Sequence, residues 1–130
     1  MDQVALRKLG LLPLAFVSAC LLAQAASAQT YPTRPIRLIV PYPPGGPTDF
    51  VGRTVAQKLT ESIGQQVVVD NRPGAAAMIG HDLGAKAAPD GYTLLFATGG
   101  GMVIAPLVAP KPLYDAIKDF SAISMLVISP

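Results

Sequence analysis

Short apolar runs alternate with longer amphipathic stretches through most of the chain. Mostly apolar runs lie at residues 38–40, 67–69 and 92–97, and each is followed by Pro, Asp-Asn or Thr-Gly. Short runs of this kind between turn residues are typical of strands buried on both faces of a sheet. The pattern predicts strands near residues 37–42, 67–71 and 93–98.

The stretches between these runs carry a helical period. Over residues 48–63, apolar side chains recur every four positions, as one face of a helix requires, at Val51, Val55, Leu59 and Ile63. Gly64 is a suitable end for this helix, because glycine readily adopts the left-handed conformation found there. A second helix is predicted over residues 75–88, where Gly80 and Gly84 would let it approach the sheet closely.

The last third of the chain is less regular. Residues 102–107 predict a helical turn cut by Pro106, and residues 115–120 predict a short polar helix. Residues 121–129 predict a fourth strand.

The order strand, helix, strand, helix, strand predicts the α/β class, with a parallel sheet and right-handed crossovers. Ligands of such sheets bind outside the carboxyl ends of the strands. Three loops, at residues 43–49, 72–78 and 98–102, each follow a predicted strand. The sequence therefore predicts that all three lie at one edge of the sheet.

The first of these loops carries the clearest chemistry. It is rich in proline around Gly45 and Gly46, and Thr48 and Asp49 after it are residues that favour the start of a helix. Glycine lets backbone N–H groups come close to a ligand, and a helix N-terminus adds partial positive charge. The loop therefore favours an anion, most simply a carboxylate, although a turn without any ligand remains an alternative.

The first 28 residues read as a cleavable export signal. Arg7 and Lys8 precede an apolar run, and Ala-Ser-Ala at residues 26–28 is a small-x-small cleavage site. Two alternatives are a membrane anchor and a lipoprotein signal ending at Cys20. Cleavage after Ala28 would place the protein in the periplasm.

The amino-acid composition of residues 29–130 makes several classes of function unexpected. The chain has ten Lys and Arg against eight Asp and Glu, and Arg7, Lys8 and Asp2 precede residue 29, so the remaining 102 residues carry a net charge of +1. With no basic stripe, nucleic acid is not an expected partner. No second apolar stretch is long enough for stable membrane insertion. Cys20 is the single cysteine, so a mature chain that starts at residue 29 can form no disulfide, no zinc cluster with cysteine ligands and no thiol nucleophile. We also expect no metal site and no cofactor.

Four motifs occur in order over the mature chain: Y-P-T-R-P-I-R-L-I-V-P-Y-P-P-G-G-P-T-D at residues 31–49, V-V-V-D-N-R-P-G-A at 67–75, A-A-P-D-G-Y-T-L-L at 87–95 and L-Y-D-A-I-K-D-F at 113–120. Together they resemble the substrate-binding proteins of tripartite tricarboxylate transporters, the Bug family. The resemblance implies a type II periplasmic-binding-protein fold and a small carboxylate ligand, such as a citrate-like acid or a dicarboxylate. It also implies delivery to a membrane permease of that transporter type or to a sensor.

In such proteins the ligand is held largely by backbone N–H groups of the strand–helix loops. The residues that the resemblance assigns to ligand binding are Gly45, Gly46, Thr48 and Asp49 in the first loop, Gly74, Ala75, Ala76, Ala77 and Met78 in the second, and Thr98, Gly99, Gly100 and Gly101 in the third.

The sequence departs from the family pattern in two loops and in length. Ala76, Ala77 and Met78 stand where a Gly-Gly-Asn-like run is usual, and Gly101 begins the segment where Thr-His-Ala is usual. These departures remove polar side chains, so a less polar ligand or impaired binding is expected. Because family members are considerably longer, residues 29–130 are expected to be the N-terminal part of the first solute-binding domain, apparently truncated, with the second domain missing.

Several residues allow a plainer interpretation. Asp49 is expected to cap the helix rather than contact an acidic ligand, because its own charge would repel it. Residues 98–101 lack the Lys-Ser/Thr of a phosphate-binding loop. His81 is expected to be solvated or to cap, and not to act as a general base, whereas Tyr92 and Tyr114 are expected to pack. We therefore expect that this protein is not an enzyme. The alternatives to a solute-binding protein are a remnant without function and a hydrolase.

Overall fold

The computed structural model describes residues 31–128, which contain a three-stranded parallel sheet. β1 (Ile36–Val40) lies in the middle, between β2 (Val67–Asn71) and β3 (Thr93–Leu95), and pairs in parallel with both. The predicted α/β class and parallel sheet are confirmed. β3 is shorter than predicted, although the Phe96 amide still donates to the carbonyl of Ile39 at 2.9 Å. The predicted export signal, with Cys20, lies outside the described residues.

β1 is the most deeply buried segment of the sheet. Ile36, Leu38, Ile39 and Val40 are all almost inaccessible to solvent. β2 is different, because it is paired on one side only among the described residues: Val67 is buried, whereas Val68 is 44% exposed. The expectation that residues 67–69 are buried throughout was therefore wrong at Val68, whereas Val69 is half-buried against the core.

α1 (Pro47–Ile63) connects β1 to β2 and packs on one face of the sheet. Its buried residues are the small Gly52 and Ala56, together with Asp49. A Cβ on Gly52 would lie 2.9 Å from Val40 Cγ2, so glycine lets the helix approach β1 closely. The apolar residues of the predicted helix face lie beside these buried positions and are half-buried. Gly64 ends the helix in the left-handed conformation, as predicted.

α2 (Met78–Ala85) connects β2 to β3 and is shorter than predicted at both ends. Residues 75–77 all have positive φ and so cannot belong to a right-handed helix. The helix packs against the opposite face of the sheet from α1. A Cβ on Gly80 would lie 2.6 Å from Pro41 Cβ, and one on Gly84 would lie 3.3 Å from Leu95 Cβ, so both glycines permit the close approach that was predicted.

The segment after β3 differs most from prediction. A wide turn of π type (Gly100–Ile104) runs directly into α3 (Ala105–Val108), so Pro106, in the first turn of α3, does not cut the helical segment. Residues 115–120 form a turn rather than a helix, because the Asp115 carboxylate accepts hydrogen bonds from the amides of Ile117 and Lys118. Residues 121–128 are exposed and unpaired, so the predicted fourth strand is wrong for them.

Within residues 31–128, no helix combines the length and the apolar character that a membrane span requires.

Candidate functional site

The three loops that follow the strands meet at one edge of the sheet. The Asn71 side chain, at the end of β2, donates to the main-chain carbonyl of Tyr42, the residue before the first loop, at 3.0 Å. The Tyr42 hydroxyl lies 3.1 Å from Thr98 Oγ1 in the third loop. The Arg72 amide, which starts the second loop, donates to the carbonyl of Val40 at 2.8 Å. The predicted convergence of the loops is therefore a feature of the structure.

The strand order marks this edge as the expected position of a ligand crevice. From β1 the chain passes through α1 to β2 on one side, and then crosses back through α2 to β3 on the other side of β1. In an open parallel sheet this reversal of strand order opens a cleft between the loops at the strands' carboxyl ends. Here those are the first and third loops, which the Tyr42–Thr98 contact joins.

Asp49 organises the first loop from inside. Its carboxylate is 3% exposed and accepts hydrogen bonds from the Gly45 amide at 2.8 Å, Arg53 Nε at 2.9 Å and Asn71 Nδ2 at 2.9 Å. Arg53 also donates to Asn71 Oδ1 at 3.1 Å, which closes the network. Asp49, the third residue of α1, thus binds back to Gly45, the residue before the N-cap Gly46. It fixes the loop from within the helix and is not itself the helix cap that was expected.

This network keeps Asp49 ionised. The hydrogen bond from Arg53 is the largest cause, followed by those from Gly45 and Asn71, and together they lower the pKa of Asp49 to about 2. The Arg53 guanidinium pairs with the carboxylate, so Asp49 does not present an unopposed negative charge to an anion at this edge.

The start of α1 leaves backbone donors for such an anion. Gly46 at the N-cap has no side chain with which to accept a hydrogen bond from the first turn, and Pro47 has no N–H. The first-turn amides of a helix have no partner within it, and here they are those of Thr48 and Asp49. Their dipoles and the helix dipole favour negative charge in front of Gly46.

The second loop is a left-handed turn. Gly74 has φ +130°, and Ala75, Ala76 and Ala77 follow with φ of 47°, 52° and 73°. The turn is closed by the Met78 amide, which donates to the carbonyl of Ala75 at 3.0 Å. Residues 74–76 are exposed at the edge, whereas Ala77 is buried and forms the N-cap of α2 without a polar side chain.

The third loop becomes helical at Gly99, directly after Thr98. The Met102 amide donates to the carbonyl of Thr98 at 2.8 Å, and Thr98 Oγ1 accepts from the Gly101 amide at 3.4 Å. Gly99 and Gly100 are exposed, whereas Gly101 is buried.

His81 lies in the interior between the second and third loops, so the expectation of a solvated or capping residue was wrong. Its ring is 0% exposed, with Nδ1 2.8 Å from the Ala77 carbonyl and Nε2 3.5 Å from the Thr98 amide. Burial lowers the pKa of His81, and the bond to Ala77 only partly opposes this. With both nitrogens engaged and no solvent access, the ring is not placed to act as a general base.

Four residues that contribute to this edge were not singled out as site residues from the sequence: Tyr42, Arg53, Asn71 and Tyr114. The first three connect the loops through the hydrogen bonds given above. Tyr114 was expected to pack, and it does: its ring stacks on His81 with centroids 5.6 Å apart. Asn71 could have been singled out from the sequence, because a polar side chain at the end of a buried strand lies at the edge of the sheet where ligands bind.

Metal chemistry has no candidate in the described part of the chain. Residues 31–128 contain no group of three His, Cys, Asp or Glu side chains that could hold a metal ion.

Comparison with known proteins identifies the family. Residues 51–130 match the family described as "Tripartite tricarboxylate transporter family receptor". The chain belongs to this family. A relative of known sequence is BugT of Bordetella pertussis, which is 45% identical over 112 residues covering 85% of this chain and 34% of BugT. The resemblance to the Bug family is thereby confirmed.

Solved structures that are similar to this chain share the fold described here. MatC from Rhodopseudomonas palustris, solved with bound malate, is 36% identical with a TM-score of 0.66 over 69% of this chain and 31% of MatC. Another R. palustris protein, solved with adipate, is 40% identical with a TM-score of 0.63 over 66% of this chain and 29% of its own. The chain spans about a third of the length of the curated relatives it matches.

Proposed function

We propose that this chain forms a carboxylate-binding edge of an exported solute-binding receptor. Small dicarboxylates are the proposed ligands, and a membrane permease of the tripartite tricarboxylate type, or a sensor, is the proposed partner. Export of residues 29–130 by the signal at residues 1–28 would place the receptor in the periplasm.

One observation carries the proposal: the first turn of α1 starts at the crevice with no side-chain cap. Gly46 stands where Ser, Thr, Asp or Asn is preferred, so the amides of Thr48 and Asp49 are left for an external acceptor. Asp49 is neutralised by Arg53, and Arg72 is the one charged side chain in residues 43–48, 72–78 and 98–102. The malate and adipate bound by two relatives carry carboxylates, which accept hydrogen bonds from donors of this kind.

The assignment of individual site residues follows from the same geometry. Gly45, Gly46, Thr48, Gly74 and Gly99 are proposed to line the crevice with backbone. Ala75, Ala76, Met78, Thr98 and Gly100 complete this lining. Ala77, Gly101 and the side chain of Asp49 are buried and are proposed to shape the loops, so that Asp49 would contact the ligand through its backbone amide only.

Affinity in this chain should be low. A hydrogen bond to a charged group contributes about 1.5–3 kcal/mol, and association costs at least about 4 kcal/mol. Two or three such bonds give a dissociation constant on the order of millimolar. Nuclear magnetic resonance titration of backbone amides with malate, adipate and citrate suits this range.

The decisive variant fills the missing cap. At Gly46, φ is −86° and a Cβ would have only one neighbour within 4 Å, at 3.8 Å, so Gly46→Ser fits and supplies a hydroxyl that competes with the ligand for the first-turn amides. Gly46→Ala adds the same Cβ without the hydroxyl and serves as the matched control. We expect Gly46→Ser to bind dicarboxylate more weakly than Gly46→Ala, with no loss of folding stability. Equal binding by the two variants would contradict the role of α1, and absence of binding by the unmodified chain would support a remnant without function.

A further inference from the structure

His81 and Gly101 are packed against each other so closely that the side chain allowed at either position depends on the residue at the other. An ideal Cβ on Gly101 would lie 2.2 Å from Cε1 of His81, 2.7 Å from Nδ1 and 2.8 Å from Nε2. No side chain can be placed at residue 101 at such distances from a buried ring. The imidazole therefore occupies the space that a side chain at residue 101 would need.

The ring is also fixed by its hydrogen bonds. Ala77 presents a carbonyl oxygen to Nδ1, so Nδ1 must carry the proton and donate. Thr98 presents an N–H to Nε2 at 3.5 Å, so Nε2 must be free of a proton and accept. Both partners thus select the same neutral tautomer, and they belong to two different loops.

A third contact holds the same loop from the other side. Tyr114 stacks on the imidazole with an angle of 19° between the rings, and its hydroxyl donates to the carbonyl of Gly101. Gly101 is therefore enclosed by His81 on one side and bonded to Tyr114, and the third loop has little freedom to shift relative to α2.

We propose, resting on the carboxylate site proposed above, that His81 is a positioning residue, which in its neutral form fixes the third loop against the start of α2. Gly101 is its required counterpart. The ring does not contact the ligand, since it is fully buried. It sets the distance between the exposed backbone of residues 74–76 and that of residues 99–100, and hence the shape of the edge that receives the carboxylate.

A double-mutant cycle tests the packing. We expect Gly101→Ala to lower the melting temperature strongly in the natural background and much less in the His81→Ala background, because removal of the ring frees the space for the new methyl group. Should Gly101→Ala fail to fold, the double variant carries the test, since removal of the ring should restore folding. Additive effects of the two substitutions would overturn the proposal.

Positioning also has readouts that packing alone would not change. Nitrogen-15 spectra should show His81 protonated at Nδ1 and not at Nε2, and the Thr98 amide resonance should shift in His81→Ala. In the adipate titration, His81→Ala and Gly101→Ala should each weaken binding roughly three- to tenfold, the equivalent of one hydrogen bond. The double variant should recover part of the loss caused by Gly101→Ala.

The outcomes separate the two proposals. If the natural chain binds none of the dicarboxylates, the proposed function fails, whereas the cycle and the tautomer still decide whether His81 and Gly101 act as a pair. If the natural chain binds adipate but His81→Ala binds equally well, or if His81 is protonated at Nε2, the positioning role is refuted.

Discussion

Asn71 at the end of β2 donates its side-chain amide to the buried carboxylate of Asp49 in the first turn of α1, at 2.9 Å. The same Nδ2 atom donates to the carbonyl of Tyr42 at 3.0 Å. One side chain thus fixes the first loop, the start of α1 and the end of β2 relative to one another. The edge proposed to bind the ligand is built on this contact.

Replacement of Asn71 should therefore loosen the loop and destabilise the fold. Asn71→Ala leaves the Tyr42 carbonyl and one carboxylate oxygen without their partner, and an unsatisfied group of this kind costs about 1–3 kcal/mol. Urea unfolding at neutral pH measures the change. Asn71→Asp keeps the shape but places a second carboxylate against Asp49, so it should be less stable than Asn71→Ala at pH 7; the reverse order would show that the network is not electrostatic.

The low pKa of Asp49 predicts how the fold responds to acid. Since the folded state holds the pKa of Asp49 at about 2, below the ordinary value of 3.8, the carboxylate stabilises the fold fully above pH 3.8. That stabilisation is lost as the pH falls from 3.8 towards 2, because the unfolded chain takes up the proton first. The free energy of unfolding, measured through this range, should fall less steeply in Asp49→Asn than in the natural chain. Parallel curves for the two proteins would mean that Asp49 titrates normally.

His81 predicts a second transition at higher pH. It is the one histidine of the chain, and burial lowers its pKa below the ordinary value of 6.5. Below pH 6.5 the unfolded chain binds a proton that the folded chain does not, so stability is complete above pH 6.5 and decreases as the pH falls. Tyr114, which stacks on the ring, has its pKa raised by burial and by the charge of Asp82, and Asp82 pairs with Lys86.

This second transition is tested by comparing the pH dependence of stability in the natural chain and in His81→Ala. Urea unfolding of the natural chain between pH 7 and pH 5 should show a loss of stability that is absent from His81→Ala. The pKa of Tyr114 is raised from its ordinary value of 10, so this group stays neutral between pH 7 and pH 5. A slope of equal size in both proteins would therefore contradict the burial of a neutral ring.

The architecture could be predicted from sequence because it depends on local patterns. Apolar runs at β1 and β3, the period of α1 and the glycine at residue 64 each have one dominant physical interpretation, and the βαβ order then fixes the parallel sheet. The convergence of the loops follows from that order alone. No knowledge of side-chain packing was needed for any of these predictions.

The errors arose where tertiary contacts decide. His81 stands in a helix beside the charged Asp82, and the burial of its ring depends on distant residues that pack against it, Tyr114 and Gly101 among them. Residues 121–128 have the composition of a strand, but composition does not supply a neighbouring strand to pair with. The start of α2 was misplaced because alanine favours helices, whereas the turn after Gly74 holds three alanines at positive φ.

Those alanines give the last prediction. Ala76 is exposed and has φ +52°, in the left-handed region that costs an ordinary residue about 1–2 kcal/mol and glycine almost nothing. Ala76→Gly should therefore raise the free energy of unfolding by about 1 kcal/mol, after the greater entropy of glycine in the unfolded chain is allowed for. The matched control is Ala85→Gly in the last turn of α2, where the backbone is right-handed and glycine should destabilise by about 0.5–1 kcal/mol. Opposite signs for the two substitutions in urea unfolding would confirm the left-handed turn, whereas destabilisation by both would place residue 76 in an ordinary helix.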